Sequence, residues 1–392
     1  MQTLLTLLIL ILASTANCAV WTAKAAWSDA EERHYQEWIA QKLRSDFFVT
    51  GPWAGIKTDC ADAVYAARII FSFENSLPFA TRSSLKTKQG PMSLNNDATL
   101  WDHIQSPEAR VRAFVDAVND VTWTGSLTRD TEAVEISKEA IVPGVMWLRP
   151  GHVELVKNVR SSGVIDLIGS TVPAAVRSLM TVTDLGYIPD RSGYGFRKWR
   201  QQGTEPKAPI NTRQTTIVEK REDLDFLSSA QRAFQFEASM RTTLASRTEL
   251  QTETVGRVAN DFCTLLHSRA EIVGLSEVRR SKLQHCMNDR DYDAYSTPSR
   301  DLRIRRTALH LGLLMKNNLN AVETALQQCS VIVLGDGVEL MPFEFLKRLL
   351  KFEYSSDPNE NMLTRFGFTP ALGSCGETGR PTERSAPQSG AN

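Results

Sequence analysis

The sequence lacks several features that would narrow its function at once. Its 392 residues contain 45 Lys and Arg against 45 Asp and Glu, so the formal net charge is zero, and no long-range positive field favours nucleic acid as a partner. Six scattered cysteines are too few for a dense disulfide framework. No stretch after the N-terminus reaches the roughly 18 consecutive apolar residues of a membrane span. At roughly 100 to 200 residues per domain, a globular protein of about two domains remains.

A metal-binding pattern is also missing. Cys263 and Cys286 are 23 residues apart, without His or Cys neighbours, which favours a disulfide over zinc. We therefore predict no metal and no cofactor. The pairing among Cys263, Cys286, Cys329 and Cys375 stays open, because four cysteines allow three connectivities. Five histidines show no metal-ligand spacing, namely His34, His103, His267, His285 and His310.

The N-terminus carries an apolar run from Leu4 to Ala13, of a length typical of secretory signals. The small residues that follow supply a cleavage signal, although the first three residues lack the usual Lys or Arg. We predict a signal peptide over residues 1–19 and export to the periplasm or the medium, where disulfides are permitted. The alternative is a lipoprotein signal, with Cys18 as the lipidated residue and association with the cell envelope.

The remainder of the first half reads as helices followed by strands. Short apolar runs near residues 145–148, 153–156 and 164–168 each follow a Gly or Pro-Gly turn, which predicts three successive antiparallel strands. Helix-then-sheet order indicates an α+β domain over residues 20–205. Helices are predicted from Ser28, from Thr58 or Asp59 and over Glu108 to Asn119, with a long loop at residues 80–100.

The second half has helical periodicity throughout. Several amphipathic stripes predict an all-α helical domain over residues 221–355, packed as a separate bundle with a core of its own. A Pro-rich, polar stretch before it predicts a linker at residues 206–220. After Tyr354 the composition turns to Ser, Gly, Pro and Thr, which predicts a disordered tail over residues 356–392.

A candidate nucleophile stands at the predicted start of the second helix. Cys60 follows Asp59, a capping residue, and the N-terminus of a helix stabilises a thiolate. The alternative for a lone cysteine is a small buried core residue. His152 opens the second strand, and Asp166 follows on the third, fourteen residues later. Cys60, His152 and Asp166 would thus supply a nucleophile, a general base and an orienting acid.

Four motifs surround these residues, namely D-C-A-D-A-V-Y at Asp59 to Tyr65, P-G-V-M-W-L at Pro143 to Leu148, G-H-V-E-L-V at Gly151 to Val156 and G-V-I-D at Gly163 to Asp166. Together they resemble the NlpC-type branch of the papain-like cysteine peptidases. The resemblance covers roughly residues 50 to 170 and implies export, a papain-like fold and cleavage of peptide or amide bonds in bacterial peptidoglycan. It makes Cys60 the nucleophile, His152 the general base and Asp166 the orienting group.

Other readings stay open beside this one. Ala61-Asp62 stand where the family usually has Ser-Gly. The CHAP amidases also carry Gly-His-Val on a strand, and the transglutaminase-like peptidases carry Asp-Cys-x-Asp, so both branches compete. A cell-envelope binding or scaffold protein that keeps the fold without catalysis is the alternative from another functional class.

Aromatic residues near these motifs are candidates for binding a peptide or peptidoglycan substrate. Trp53 and Asp59 precede the predicted nucleophile, while Tyr194 and Trp199 lie among four cations in R-S-G-Y-G-F-R-K-W-R. Aromatic rings stack on sugars and Arg pairs with carboxylates, so these residues could line a groove. The alternative is an extended segment that packs its aromatic rings onto the catalytic domain.

Overall fold

The computed structural model describes residues 19–88, 90–186, 188–189, 193–200, 226–334, 337–371 and 375. The predicted linker at 206–220 and all but the last residue of the predicted signal peptide, Cys18 included, lie outside these residues. Within the described residues, no helix is both long and apolar enough to cross a membrane.

The chain is a mixture of helices and antiparallel strands, which confirms the α+β class. The helices are α1 Asp29–Gln41, α2 Cys60–Glu74, α3 Pro107–Asn119, α4 Thr124–Asp130, α5 Phe226–Leu244, α6 Gln251–Arg280, α7 Asp289–Tyr295, α8 Pro298–Gln327, α9 Pro342–Leu350 and α10 Met362–Arg365. The strands are β1 Ala80–Thr87, β2 Gly90–Asn95, β3 Thr131–Ala133, β4 Met146–Arg149, β5 His152–Val159, β6 Ile165–Gly169, β7 Met180–Val182, β8 Gly195–Trp199, β9 Ile332–Val333 and β10 Glu339–Leu340.

Strands β4, β5 and β6 form the centre of a six-stranded antiparallel sheet with the order β3-β8-β4-β5-β6-β7. Arg149 pairs with His152 across the tight β4–β5 turn. Gly151 in that turn has φ of +72°, a left-handed conformation that favours glycine. The three strands predicted between residues 145 and 168 are confirmed.

The sheet is covered by helices on both faces. Val153 and Leu155 face the first apolar core, on the side of α1, α2 and α3. Trp147 and Val156 face the second, which they share with side chains of α5, α6, α8 and α9. The prediction of a separate bundle is therefore wrong. Because successive strand residues point to opposite faces and both faces are apolar, the second half of the chain must cover the face that α2 leaves open.

The long loop predicted at residues 80–100 is also wrong, because β1 and β2 pair there as an antiparallel hairpin. The buried positions of β1 are the polar residues Thr81 and Ser83. The Thr81 hydroxyl donates to the Asp130 carboxylate at 2.6 Å, and the Tyr65 hydroxyl donates to the same oxygen at 2.7 Å. Hydrogen bonds thus replace the apolar alternation that would have marked the hairpin.

The predicted disordered tail begins too early. Arg365 and Phe366 are fully buried, and the Arg365 carbonyl accepts a hydrogen bond from Arg269 at 3.0 Å. The polar composition of this segment predicted disorder. Its polar side chains can nevertheless be buried, because they form hydrogen bonds with other parts of the protein.

Two disulfides link segments of the second half of the chain to one another, Cys263 to Cys329 and Cys286 to Cys375. The expectation of at least one disulfide is confirmed. Cys60 is the free cysteine among the described residues.

Candidate active site

Cys60 is the first residue of α2, and a double cap holds this end of the helix. The Asp59 carboxylate accepts from the backbone N–H groups of Ala61 at 2.9 Å and Asp62 at 3.0 Å. The Asp62 carboxylate accepts in return from the N–H of Asp59 at 2.8 Å. This is a capping box. It gives Asp62 a structural role at the position where the resembling family usually carries glycine.

The Cys60 thiol lies against the β4–β5 turn. Its sulfur is 3.9 Å from the Gly151 carbonyl oxygen, and the residue is 4% exposed. Burial, together with the nearby Asp59 carboxylate, raises the pKa of this thiol to about 12, although the N–H groups of Val153 and Ala61 act against the rise. The stabilisation expected from the helix N-terminus is thus outweighed, and the resting thiol is protonated at neutral pH.

His152 begins β5, and its nearest charged partner is Glu154 rather than Asp166. Its Nε2 atom lies 3.5 Å from Glu154 Oε1, longer than a usual hydrogen bond. Burial, with Arg149 nearby, lowers the pKa of His152 to about 4, so the resting ring is neutral at pH 7. Glu154 is 1% exposed and pairs with Arg303 at 2.8 Å. Although burial opposes ionisation, the Arg303 and His152 charges hold the pKa of Glu154 well below its usual range.

Asp166 does not orient His152, and that prediction is corrected. The β5–β6 register places Asp166 opposite Asn158, six residues beyond His152, or roughly 20 Å along the strand at about 3.3 Å per residue. Its carboxylate pairs instead with Arg160 at 2.6 Å. The sequence did contain a signal for Glu154, because residues two apart on a strand share a face.

Cys60 and His152 line the same cavity of about 140 Å³ at the β4–β5 turn. No hydrogen bond joins the Cys60 sulfur to the His152 ring, both of which the structure describes. The helical half closes the cavity from the opposite side. The other lining residues are Arg149, Pro150, Gly151, Thr171, Val172, Met180, Leu265, Ser268, Ser299, Arg300 and Arg303.

The four predicted substrate-binding residues lie elsewhere. Trp53 is buried, and its indole N–H donates to the Glu74 carboxylate at 2.9 Å. Asp59 caps α2. Tyr194 is half-buried between the two cores, and Trp199 packs its ring against Tyr65 in the interior. None of the four lines the cavity beside Cys60, so the aromatic residues of this set follow the packing alternative.

Among the described residues, no group of three or more His, Cys, Asp or Glu side chains could hold a metal ion. The cavity itself is lined by the thiol of Cys60, the imidazole of His152 and three arginines.

Comparison with protein-family models, with curated proteins and with solved structures finds no match for this chain. No family is shown. The geometry around Cys60 is the structural feature that bears on function.

Proposed function

We propose that the protein is an exported cysteine hydrolase of the papain-like type, which cleaves peptide or amide bonds in bacterial peptidoglycan. The observation that carries the proposal is that Cys60, at the N-terminus of a helix packed on an antiparallel sheet, shares a cavity with His152 at the start of a sheet strand. A thiol and an imidazole in one cavity are the minimum for nucleophilic acyl transfer. The motifs that resemble the NlpC-type peptidases add the substrate class.

In the proposed reaction the sulfur of Cys60 attacks the carbonyl carbon while His152 takes the thiol proton. His152 then passes this proton to the leaving amine, and water hydrolyses the thioester. The ionised Glu154 carboxylate stabilises the imidazolium that forms between these steps. Because Nε2 faces Glu154, Nδ1 is the ring nitrogen left to exchange a proton with sulfur. Hydrogen bonds between nucleophile and base often tighten only in the substrate complex.

Replacement of the proposed base is expected to have a large and specific effect. In His152→Gln, kcat/KM for release of soluble peptides from purified peptidoglycan sacculi should fall by about 10² to 10⁴-fold, the usual contribution of a positioned base. Glu154→Gln should lower it by about 10-fold or more, because the imidazolium loses its counter-charge. Release of new amino groups measures both.

Asp166→Asn is the matched control. It removes a carboxylate whose partner Arg160 is 43% exposed and which lies six residues along the sheet from His152, so activity should stay within about twofold of the parent. A loss in Asp166→Asn as large as that in His152→Gln would contradict the assignment of Glu154.

The second candidate is a non-catalytic cell-envelope binding protein, favoured by the protonated resting thiol and by the lack of a hydrogen bond from the Cys60 sulfur to the imidazole. Because burial raises the pKa of the thiol to about 12, its thiolate fraction at neutral pH is far lower than that of a cysteine exposed to water. Iodoacetamide should therefore modify Cys60 much more slowly in the folded than in the unfolded chain, and faster as the pH rises. Fast labelling at neutral pH would contradict the resting state described above. Slow labelling combined with no peptide release from sacculi would favour the binding protein.

A further inference from the structure

The cavity beside Cys60 has an unbalanced charge. Three arginines line it, Arg149, Arg300 and Arg303, whereas no Asp or Glu appears among its described lining residues. A buried cation without a counter-ion is costly. Whether the cavity favours binding of an anion therefore depends on which of these arginines already pairs with a carboxylate of the protein.

Arg303 already has its counter-ions. Its guanidinium pairs with Glu154 at 2.8 Å and with Asp184 at 3.1 Å. We therefore assign Arg303 to holding Glu154, and not to a ligand.

Arg300 is held in place but not neutralised. Its Nη2 donates to the Thr171 hydroxyl at 2.6 Å and to the Val172 carbonyl at 2.5 Å, and both acceptors belong to neutral groups. Its Nε is buried and has no hydrogen-bond partner. No salt bridge joins Arg300 to a carboxylate in the described part of the chain.

Arg149 is the less constrained of the two. It lies opposite His152 in the β4–β5 register, and its Nε is buried without a hydrogen-bond partner. It forms no salt bridge with any described residue, and the Glu154 and Asp184 carboxylates, which pair with Arg303, act on it only at longer range. Burial lowers the pKa of Arg149 and of Arg300 to about 10, so both guanidinium groups remain charged at neutral pH.

We propose that Arg149 and Arg300 bind a carboxylate of the substrate close to the scissile bond, so that the enzyme selects acidic peptides. This inference rests on the proposed hydrolase function and narrows its substrate class. The planar guanidinium presents several donors in a geometry that matches a carboxylate. Both arginines line the cavity, one from the β4–β5 hairpin and one from α8, and a cavity of about 140 Å³ suits one short acidic side chain.

Binding to the full-length Cys60→Ala protein tests the inference without requiring catalysis. Isothermal calorimetry would compare acetyl-Ala-Glu-Ala-amide with acetyl-Ala-Gln-Ala-amide, which differ only in one carboxylate. Because charge-assisted hydrogen bonds are the strong ones, the acidic peptide should bind about 10-fold more tightly or better. Equal affinity for the two peptides would overturn the inference. The comparison uses no arginine variant, so its result does not depend on whether such a variant folds.

Arginine variants then locate the site. In the Cys60→Ala background, Arg149→Gln and Arg300→Gln should each remove most of the preference for the acidic peptide and leave the affinity for the glutamine peptide unchanged. Arg82→Gln, at an exposed position of β1, is the matched control and should keep the full preference. A preference that survives both cavity variants would show that the carboxylate binds elsewhere and would overturn the inference.

Inorganic phosphate distinguishes a substrate carboxylate from a free anion. Phosphate that binds in an Arg149- and Arg300-dependent manner, while the two peptides bind equally, would assign the arginines to an inorganic anion and overturn the substrate inference. Failure of the proposed hydrolysis appears separately, as absence of peptide release by the parent protein. A preserved preference in the Cys60→Ala protein would still support the carboxylate site in that case.

Discussion

Cys60→Ala is expected to lower the release of soluble peptides from peptidoglycan sacculi by about 10³-fold or more, because the sulfur of Cys60 is the atom that forms the acyl intermediate in the proposed reaction. The remaining cysteines of the described residues are in disulfides, so none can substitute. The change removes one sulfur atom from a buried position, and its effect on stability should be about 1 kcal/mol, typical of small core substitutions. Release of amino groups and thermal unfolding of the same sample separate the two effects.

Cys60→Ser is a useful companion, since it keeps the size of the side chain and replaces the thiol with a poorer nucleophile. It should be nearly as inactive as Cys60→Ala. Full activity of Cys60→Ala, with its fold intact, would exclude Cys60 as the nucleophile.

Asp301→Ala is expected to lower the free energy of unfolding by about 3–5 kcal/mol, the usual effect of removing one partner of a buried ion pair. Arg269 is fully buried, and its Nε donates to Asp301 at 2.5 Å. Asp301 also accepts from the hydroxyls of Thr297 and Ser356. Without the carboxylate, the Arg269 guanidinium would remain in the interior uncompensated. Urea unfolding of parent and variant measures the difference.

Asp291→Ala provides the matched control for that measurement. Asp291 also pairs with an arginine, Arg279, but this guanidinium is 39% exposed. Such a pair contributes about 0–1 kcal/mol. Equal losses of stability in Asp291→Ala and Asp301→Ala would contradict the claim that burial makes the Arg269 pair important.

The sequence predicted the elements around the candidate site because each has a local cause. The strands between residues 145 and 168 are short apolar runs that follow Gly or Pro-Gly turns, and Asp59 is a residue type that caps helices. These signals act over a few residues. They were enough to place Cys60 on a helix tip and His152 at a strand start.

The expectation that Asp166 orients His152 failed because of the length of the β5–β6 hairpin. The turn lies at residues 160–163, and a strand that returns from it places Asp166 opposite Asn158, near the turn, and not opposite His152. The irregularity between Val156 and Asn158 shifts this register by one residue only. Glu154 can be found from the period of a strand alone, because residues 152 and 154 share one face. A carboxylate within an apolar strand indicates that it has a charged or polar partner there.

Burial of charge explains the errors in the second half of the chain. Arg269 and Arg365 count as surface residues in any composition argument, yet both are fully buried. Their hydrogen bonds connect segments far apart in sequence. Local patterns therefore could not predict that residues 356–371 are folded, or that the helical half shares a core with the sheet.

The most direct test of the central claim, that Cys60 is an acylated nucleophile, is mass spectrometry of the Cys60 peptide during turnover. Full-length protein in excess would be mixed with soluble peptidoglycan peptides, quenched in acid at successive times, digested and weighed, with released amino groups measured in the same samples. We expect an early mass increase on the Cys60 peptide equal to the mass of the acyl fragment, followed by its decay. Amino groups should be released at the rate of acylation. Amino groups released while Cys60 remains unmodified, or no release from any peptide, would contradict the central claim.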